Sequence, residues 1–350
     1  MFSGAYLRQA RVEAQGGSLS AAELAERVGA SKAQILAYEN GLRTPDPPRI
    51  RQLAAALNMR PLDLADKTGM DSWQLADLRR ASGLRASDLC RELQLKPYSY
   101  RRLETTGLCA EGSYGLSVRL ASVLGVTVQE LERYIAHAPG VRERIERVRV
   151  PLKSVVDRHL EPGCTALPVA GDEPVKAVAA HYARSVPTIA RILQQEIVTL
   201  REAHRRRAIA EATAQYGATA EDQDRGHRRR EHVALHIHRS IAALPFRLDT
   251  FFRAQLSPHG WESLGQLHLV AGRERPEVVR PLMTFGTTLG PFVRPLTAWP
   301  RADTAAAHEI SRDGRRHHAS FEAWYGILYP WVQDRLRQFA ALLETSETPS

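Results

Sequence analysis

The sequence predicts a mainly α-helical protein of several domains, and three observations support this fold class. Apolar residues recur at helical spacing along most of the 350 residues. A pattern at residues 19–39 is repeated at residues 84–104, and Phe and Trp residues are concentrated in the C-terminal third. A chain of this length is expected to form more than one hydrophobic core. The predicted domains are residues 1–68, 72–136, 141–215 and 227–344, with a tail at residues 345–350.

The charge and cysteine content narrow the functional class. The net charge is +9, and residues 241–350 are close to neutral, so most of the positive charge lies in residues 1–240. A basic balance of this kind favours a polyanionic partner. The three cysteines have no metal-like or paired spacing, and no apolar run approaches the roughly 18 residues of a membrane span. We therefore expect a reduced, cytoplasmic protein without a membrane partner.

Residues 19–43 predict two short helices joined by a tight turn. Apolar residues at helical spacing mark both segments, namely Leu24, Ala25 and Val28 in the first and Ile35 and Tyr38 in the second. Gly29 can adopt the positive φ that a tight turn needs, and Ser31 is a good N-cap for the second helix. The stretch therefore predicts a helix-turn-helix motif.

This stretch resembles the lambda-repressor/Cro (XRE) family of helix-turn-helix proteins. The motif is carried by Leu19-Ser20, Glu23-Leu24-Ala25, Gly29, Glu39-Asn40-Gly41 and Arg43-Thr44-Pro45, and the resemblance covers about residues 5 to 66. It implies a five-helix domain that binds double-stranded DNA. It also implies an ion pair between Arg11 and Glu39, to which a solvated Arg11 is the alternative. The implied DNA-binding residues are Ser31, Lys32, Ala33, Gln34, Leu36, Ala37, Asn40 and Arg43.

One departure from the family pattern affects DNA recognition. Ala21 replaces the Gln that follows Leu-Ser in the family and contacts a phosphate. Four positions that would face the bases are Lys32, Ala33, Leu36 and Ala37. Only Lys32 among these four can form a hydrogen bond with a base edge, so we expect weak direct readout from this domain.

A second, divergent copy of the pattern follows at residues 72–136. Leu84, Leu89, Leu93, Tyr100, Leu103 and Glu104 repeat Leu19, Leu24, Val28, Ile35, Tyr38 and Glu39 at one constant offset. Gln94 replaces the turn glycine. The second helix offers the DNA-binding candidates Lys96, Tyr98, Ser99, Arg101 and Arg102, in which Arg can bind guanine or phosphate. A degenerate copy kept for packing or dimerisation is the alternative.

A third candidate motif lies at residues 173–195, within the predicted helical segment 141–215, whose first helix is expected to break near Pro151. Ser185 would cap the second helix of the motif, and Arg184, Thr188 and Arg191 are its candidate DNA contacts. An ordinary amphipathic helix pair explains the pattern equally well. Arginine triplets at 205–207 and 228–230 would suit phosphate contacts, although charge runs are usually solvated faces.

Residues 227–344 predict a helical domain with an aromatic core. The most regular helical spacing runs through Trp324, Leu328, Trp331, Leu336 and Phe339. Core packing and dimerisation are the simplest role for such a domain. An aromatic-lined pocket for a small-molecule effector is the alternative.

One set of residues resembles a catalytic motif. His236-Ile237-His238 matches the metal motif of rolling-circle initiator and relaxase nucleases, and Tyr325 with Tyr329 has the spacing of their nucleophiles. His232 and His236 could instead share a zinc ion on one helix face. The surrounding sequence predicts a helix, on which His236 and His238 point to different faces. We therefore expect no enzyme activity, no metal and no cofactor.

Together these observations predict a sequence-specific, double-stranded DNA-binding transcriptional regulator, such as a repressor, that acts as a homodimer. Recognition helices would enter successive major grooves. The alternative is an architectural, replication or plasmid-maintenance protein that binds DNA with low sequence specificity. Both interpretations place the protein in the cytoplasm, associated with the nucleoid.

Overall fold

The computed structural model describes residues 2–14, 18–110, 113, 115–253 and 323–345. These residues are mainly α-helical and contain no β-strand beyond an isolated bridge between Phe2 and Ala65. The chain divides into two compact units, residues 1–142 and 143–350. The predicted fold class, mainly α and multi-domain, is confirmed.

The first copy forms a small helical domain around one core. Its elements are α1 (Gly4–Val12), α2 (Ala21–Arg27), α3 (Lys32–Glu39), α4 (Pro47–Ala56) and a 3-10 turn (Pro61–Leu64). Each of the four helices begins at an N-cap residue whose short polar side chain accepts a hydrogen bond from a backbone N–H of the first turn: Ser3, Ser20, Ser31 and Asp46. Fully buried apolar residues fill the centre: Leu7, Leu24, Ile35, Leu53 and Leu64. The predicted fifth helix is only the four-residue 3-10 turn.

The second copy has the same order of elements. A 3-10 turn (Met70–Ser72) precedes α5 (Leu75–Ala81), α6 (Ala86–Glu92), α7 (Pro97–Thr106), α8 (Leu116–Leu124) and α9 (Val128–Ala136). The first residues of α6 and α7 lie the same number of residues after those of α2 and α3 as separates the repeated apolar residues. The fifth helical element of this copy, α9, has nine residues, whereas the first copy has only the 3-10 turn there.

The second unit is built from long helices. They are α10 (Pro139–Leu160), α11 (Glu173–Tyr182), α12 (Val186–Tyr216), α13 (Ala220–Arg253), α14 (323–328) and α15 (Pro330–Thr345). Helix α10 continues through Pro151, so the predicted break there is wrong. Helices α12 and α13 pack along each other, and Gly226 lies so close to α12 that a Cβ atom would clash with the backbone of Ala214.

Aromatic side chains and buried ion pairs hold the long helices together. The Phe251 ring packs edge-on against Trp324 and Tyr325, at centroid distances of 5.1 and 5.0 Å. Buried Glu196 accepts hydrogen bonds from Trp324 Nε1 (2.9 Å) and from Arg247 (2.5 Å). These rings fill a core. Residues 254–322 of the predicted aromatic domain, including Trp261 and Trp299, and the tail from residue 346 lie outside the described residues.

Candidate nucleic-acid interface

The turn between α2 and α3 has the geometry that the sequence predicts. Gly29 adopts a φ of +61°, and the N–H of Ala30 donates to the carbonyl of Ala25 at 2.8 Å. Ser31 Oγ accepts a hydrogen bond from the N–H of Gln34 and so caps α3. Ile35 and Tyr38 anchor α3 in the core. The opposite face of α3 is therefore presented outward.

The outward face of the first copy carries most of its predicted DNA-binding residues. Side chains that are exposed are Ser31, Lys32, Ala33, Leu36, Asn40 and Arg43, while Gln34 and Ala37 are half-buried. Gln34 Oε1 accepts the N–H of Ser31 at 3.0 Å, which completes a reciprocal capping box. Bidentate recognition of adenine needs both the oxygen and the nitrogen of this amide, so the capping role competes with base recognition.

An ion pair with a buried glutamate fixes α1 against the end of α3. Arg11 Nε and Nη2 donate to the two carboxylate oxygens of Glu39 at 2.6 and 2.9 Å, and Arg11 Nη1 donates to the Leu19 carbonyl at 2.6 Å. The side chain of Glu39 is only 1% exposed. The hydrogen bond to Glu39 raises the pKa of Arg11 above its ordinary value. The predicted pair is confirmed, and the solvated Arg11 is excluded.

Arg8 was not recognised from the sequence. Its Nε lies 3.5 Å from Glu39 Oε2, and its guanidinium donates to Asn40 Oδ1. This leaves the side-chain NH2 group of Asn40 as the part that can donate to DNA. Arg8 precedes Arg11 by one helical turn in α1, and this spacing on one helix face was the available signal.

The second copy contains an equivalent ion pair. Arg79 Nε donates to Glu104 Oε1 at 2.7 Å, and Arg79 Nη1 donates to the Leu84 carbonyl at 3.0 Å. In the repeat, Glu104 and Leu84 correspond to Glu39 and Leu19, the partners of Arg11. Tyr100 also donates to Glu104, at 2.8 Å. Arg79 was not recognised from the sequence, because its separation from Arg11 exceeds the regular offset of the repeat.

The turn of the second copy repeats that of the first without its glycine. Gln94 has a φ of +55° at the position of Gly29. The N–H of Leu95 donates to the Cys90 carbonyl at 2.8 Å, as Ala30 does to Ala25. An L-residue with a side chain is strained at positive φ, so this turn is held by the packing around it.

The outward face of α7 is rich in groups that can bind DNA. Tyr98 is 77% exposed, and Lys96 and Arg101 are also exposed, while Ser99 and Arg102 are half-buried. Tyr98, Arg101 and Arg102 are spaced so that they share one helix face. Within the described part of the chain, neither arginine forms an ion pair, so both guanidinium groups are available to phosphate or guanine.

The predicted DNA-contact residues of the third candidate motif differ in how exposed they are. Ala183, with a φ of +47°, separates α11 from α12, and Ser185 Oγ caps α12. The guanidinium of Arg184 stacks on Phe252 at 5.6 Å and donates to its carbonyl at 3.4 Å, which is a structural contact with α13. The hydroxyl of half-buried Thr188 lies 2.7 Å from Ser185 Oγ. Arg191 is exposed.

The two arginine triplets lie on the α12–α13 hairpin. Arg230 Nη1 lies 3.1 Å from both carboxylate oxygens of Glu211 and donates to them, and this ion pair joins the two helices. Arg205 and Arg228 lie close to acidic side chains on their own helices, at 3.9 and 2.9 Å. The remaining members of the triplets are exposed and form no ion pair within the described residues: Arg206, Arg207 and Arg229.

The residues of the catalytic alternative lie on helices. His232, His236 and His238 are exposed on α13, with Ile237 buried between the last two. Tyr325 is buried in α14 and stacks on Tyr329 at 5.9 Å. Among the described residues, no group of three or more His, Cys, Asp or Glu side chains is placed to hold a metal ion.

Comparison with known proteins supports the helix-turn-helix fold of the first copy. A family model described as a helix-turn-helix domain matches residues 4–67. The N-terminal domain therefore belongs to a fold class whose characteristic partner is DNA. No significant match was found among curated proteins or among solved structures. No helix in the described part of the chain is both long and apolar enough to cross a membrane.

Proposed function

We propose that this protein is a sequence-specific transcriptional regulator that binds double-stranded DNA through two tandem domains of the lambda-repressor/Cro (XRE) type. The observation that carries this proposal is the repeated framework in the N-terminal unit. Both copies have the helix, turn and helix at the same spacing, and both contain a partly buried Arg–Glu pair whose arginine also donates to a backbone carbonyl. If this framework presents the outward face of α3 to DNA, the same framework would present the outward face of α7 to DNA.

The two recognition helices would contribute differently to binding. The first presents Lys32 and Leu36 to the groove, a small inventory for reading base edges, and Arg43 to a phosphate. The second presents Lys96, Tyr98 and Arg101. Arginine bidentate to guanine is the commonest specific contact with a base. Most of the sequence specificity would therefore come from the second copy.

The second unit would form the homodimer. Val198, Ile209 and Tyr216 are exposed on α12 and share one face, because their separations are close to whole numbers of helical turns. Leu235 and Phe246 are exposed on α13. They are separated by the same number of residues as Val198 and Ile209, so they too lie on one face of their helix. The described aromatic rings pack against one another in a core, which does not favour an effector pocket lined by them.

A sedimentation experiment tests the dimer. Ile209→Glu should shift the full-length protein from dimer to monomer, because a charge would be placed in the centre of the apolar face. Arg206→Glu changes a neighbouring exposed residue and is the matched control. A wild-type protein that is monomeric at micromolar concentration would contradict the proposal.

The exposed arginines of the triplets favour a second candidate, an architectural protein with low sequence preference. Arg206, Arg207 and Arg229 can contact phosphates and add affinity that is independent of sequence. Such a protein would not need a rich recognition helix, and the first copy has a poor one.

Selection from a random duplex library distinguishes the two candidates. A regulator should enrich one sequence and bind it at least about a thousandfold more tightly than a scrambled duplex at physiological salt. An architectural protein should enrich no sequence and should show nearly equal affinity for all duplexes. Absence of an enriched sequence would therefore contradict the regulator proposal.

A further inference from the structure

The two copies are joined by a shared core. Leu62 and Ala65, at the end of the first copy, are buried in the same cluster as Trp73, Leu75 and Leu78 of the second. A flexible tether would leave each core complete in itself. Here the second core includes residues of the first copy, so moving the copies apart would expose apolar surface.

The connecting residues between the copies are themselves ordered. Asp66 Oδ1 accepts the N–H of Thr68 at 2.9 Å, and Ser72 Oγ donates to the Gly69 carbonyl at 2.7 Å. The ring of His137, at the end of the second copy, lies 3.2 Å from the Trp73 carbonyl. The connection therefore lacks the Gly- and Ser-rich character and the free backbone of a flexible linker.

A glycine allows close contact between α4 and the turn after α5. Gly83 has a φ of +70°, and a Cβ atom there would clash with Arg51 Cγ and would lie 2.9 Å from the Pro47 carbonyl oxygen. Both approaches are too close for a real Cβ atom. This contact needs glycine for its backbone conformation and for the space, so it defines one relative position of the two copies.

An ion pair crosses the same junction. Arg85 donates to Asp46 Oδ2 at 2.6 Å, and Asp46 also caps α4 through the N–H of Arg49. Both side chains are more than half exposed, so the pair adds little to stability. Its value is geometric, because it connects the start of α4 in the first copy to the start of α6 in the second.

We infer that the two copies form one rigid DNA-reading block, which recognises two unlike half-sites at a fixed spacing and orientation on a single duplex. The inference rests on the proposed function. The half-sites are unlike because the outward residues of α3 and α7 differ. The spacing is fixed because the shared core, Gly83 and the Asp46–Arg85 pair leave the recognition helices no freedom to follow displaced bases.

DNA geometry makes this inference testable. Each added base pair moves one half-site by about 3.4 Å and rotates it by roughly a tenth of a turn. Independent domains on a flexible tether lose little affinity on such a change, because their effective concentration depends weakly on distance. A rigid block loses the contacts of one helix altogether.

The experiment uses the full-length protein and duplexes of about 40 base pairs selected from a random library, which is long enough for adjacent half-sites. Insertion of a single base pair between the protected halves should reduce affinity at least roughly tenfold, and insertion of about 5 base pairs should reduce it as much. Insertion of a full turn, about 10 base pairs, should not restore affinity. Equal affinity across the series, or protection of one half-site only, would overturn the inference.

A matched pair of variants tests the junction itself. Gly83→Ala would push α4 away from α5, whereas Gly125→Ala introduces the same residue at φ +71° with no atom within 4 Å. Gly83→Ala should reduce affinity for the composite site severalfold relative to Gly125→Ala, with equal affinity for an isolated half-site. Identical binding profiles for the two variants would contradict the role of the junction. Failure to enrich any sequence, by contrast, would contradict the proposed function.

Discussion

The two copies of the N-terminal unit share a framework and differ on the surface that it presents. In both, an arginine of the first helix binds a glutamate near the end of the recognition helix and the carbonyl of the leucine before the second helix. The outward face of α3 has alanines and a leucine around one lysine, whereas α7 has a tyrosine and two arginines. The recognition surface therefore differs between the copies while the framework is the same, so a match to the framework alone does not say which copy reads DNA.

The largest effect should come from breaking the Arg–Glu ion pair that each copy contains. Glu39→Ala and Glu104→Ala each leave an arginine that is at most 13% exposed without its partner, which costs up to about 3–5 kcal/mol. Hydrogen exchange should show the loss of protection in α1 and α3 for the first variant and in α5 and α7 for the second. Glu26→Ala and Glu92→Ala, at exposed sites, are the matched controls. If only Glu39→Ala is destabilising, the two frameworks are not equivalent.

The next effect concerns the recognition surface of the second copy. Arg101→Ala should weaken binding to the selected duplex by about 1–3 kcal/mol, because it removes a contact to guanine or phosphate. Fluorescence anisotropy at fixed salt measures this loss. Arg133→Ala removes an exposed arginine from α9 and should leave affinity unchanged. Unchanged affinity of Arg101→Ala would remove α7 from the interface.

A smaller effect is expected from substitutions at the positive-φ residues of the two turns. Gln94→Gly should stabilise the second copy by up to about 1 kcal/mol, because glycine adopts a positive φ without strain. Gly29→Gln should destabilise the first copy by a similar amount, since no neighbouring atom lies within 4 Å and only the backbone is affected. Local hydrogen exchange measures both. Opposite signs support equivalent turns, and a destabilising Gln94→Gly would contradict this view.

The smallest effect should come from the first recognition helix. Lys32→Ala should cost less affinity than Arg101→Ala and should lower the salt slope of binding by about one, as expected for one phosphate contact. The measurement is affinity for the selected duplex over a range of salt concentrations. A changed sequence preference would show that Lys32 reads a base and that the first copy contributes more specificity than we propose.

Much of the N-terminal framework could be predicted because its signals are local. The cap at Ser31, the turn at Gly29 and the spacing of apolar residues all act within about one helical turn. The Arg11–Glu39 pair could be predicted only through the family resemblance. Arg79 could not be found by a fixed offset, because the loop after α5 is shorter than the loop after α1, and only the folded chain places it beside Glu104.

Prediction was weaker in the second unit, where the structure depends on packing between distant segments. The charged pattern with Pro151 suggested a break in α10, yet the helix continues, because tertiary contacts override local propensity. Arg184 had the sequence position of a DNA contact, but Phe252, far along the chain in α13, binds its guanidinium. A single sequence contains no signal for a contact of that kind.

The sequence by itself determined the helical class, the N-terminal helix-turn-helix and the basic character that favours DNA, since these depend on periodicity, turn residues and charge. Only the tertiary structure decided which polar side chains are available. It engages Gln34 in a cap and Arg184 in a ring contact, and it leaves Arg101 exposed. It also joined the two copies through Leu62, Gly83 and Arg85. The physical reason is that availability and relative position depend on long-range contacts, which local patterns do not encode.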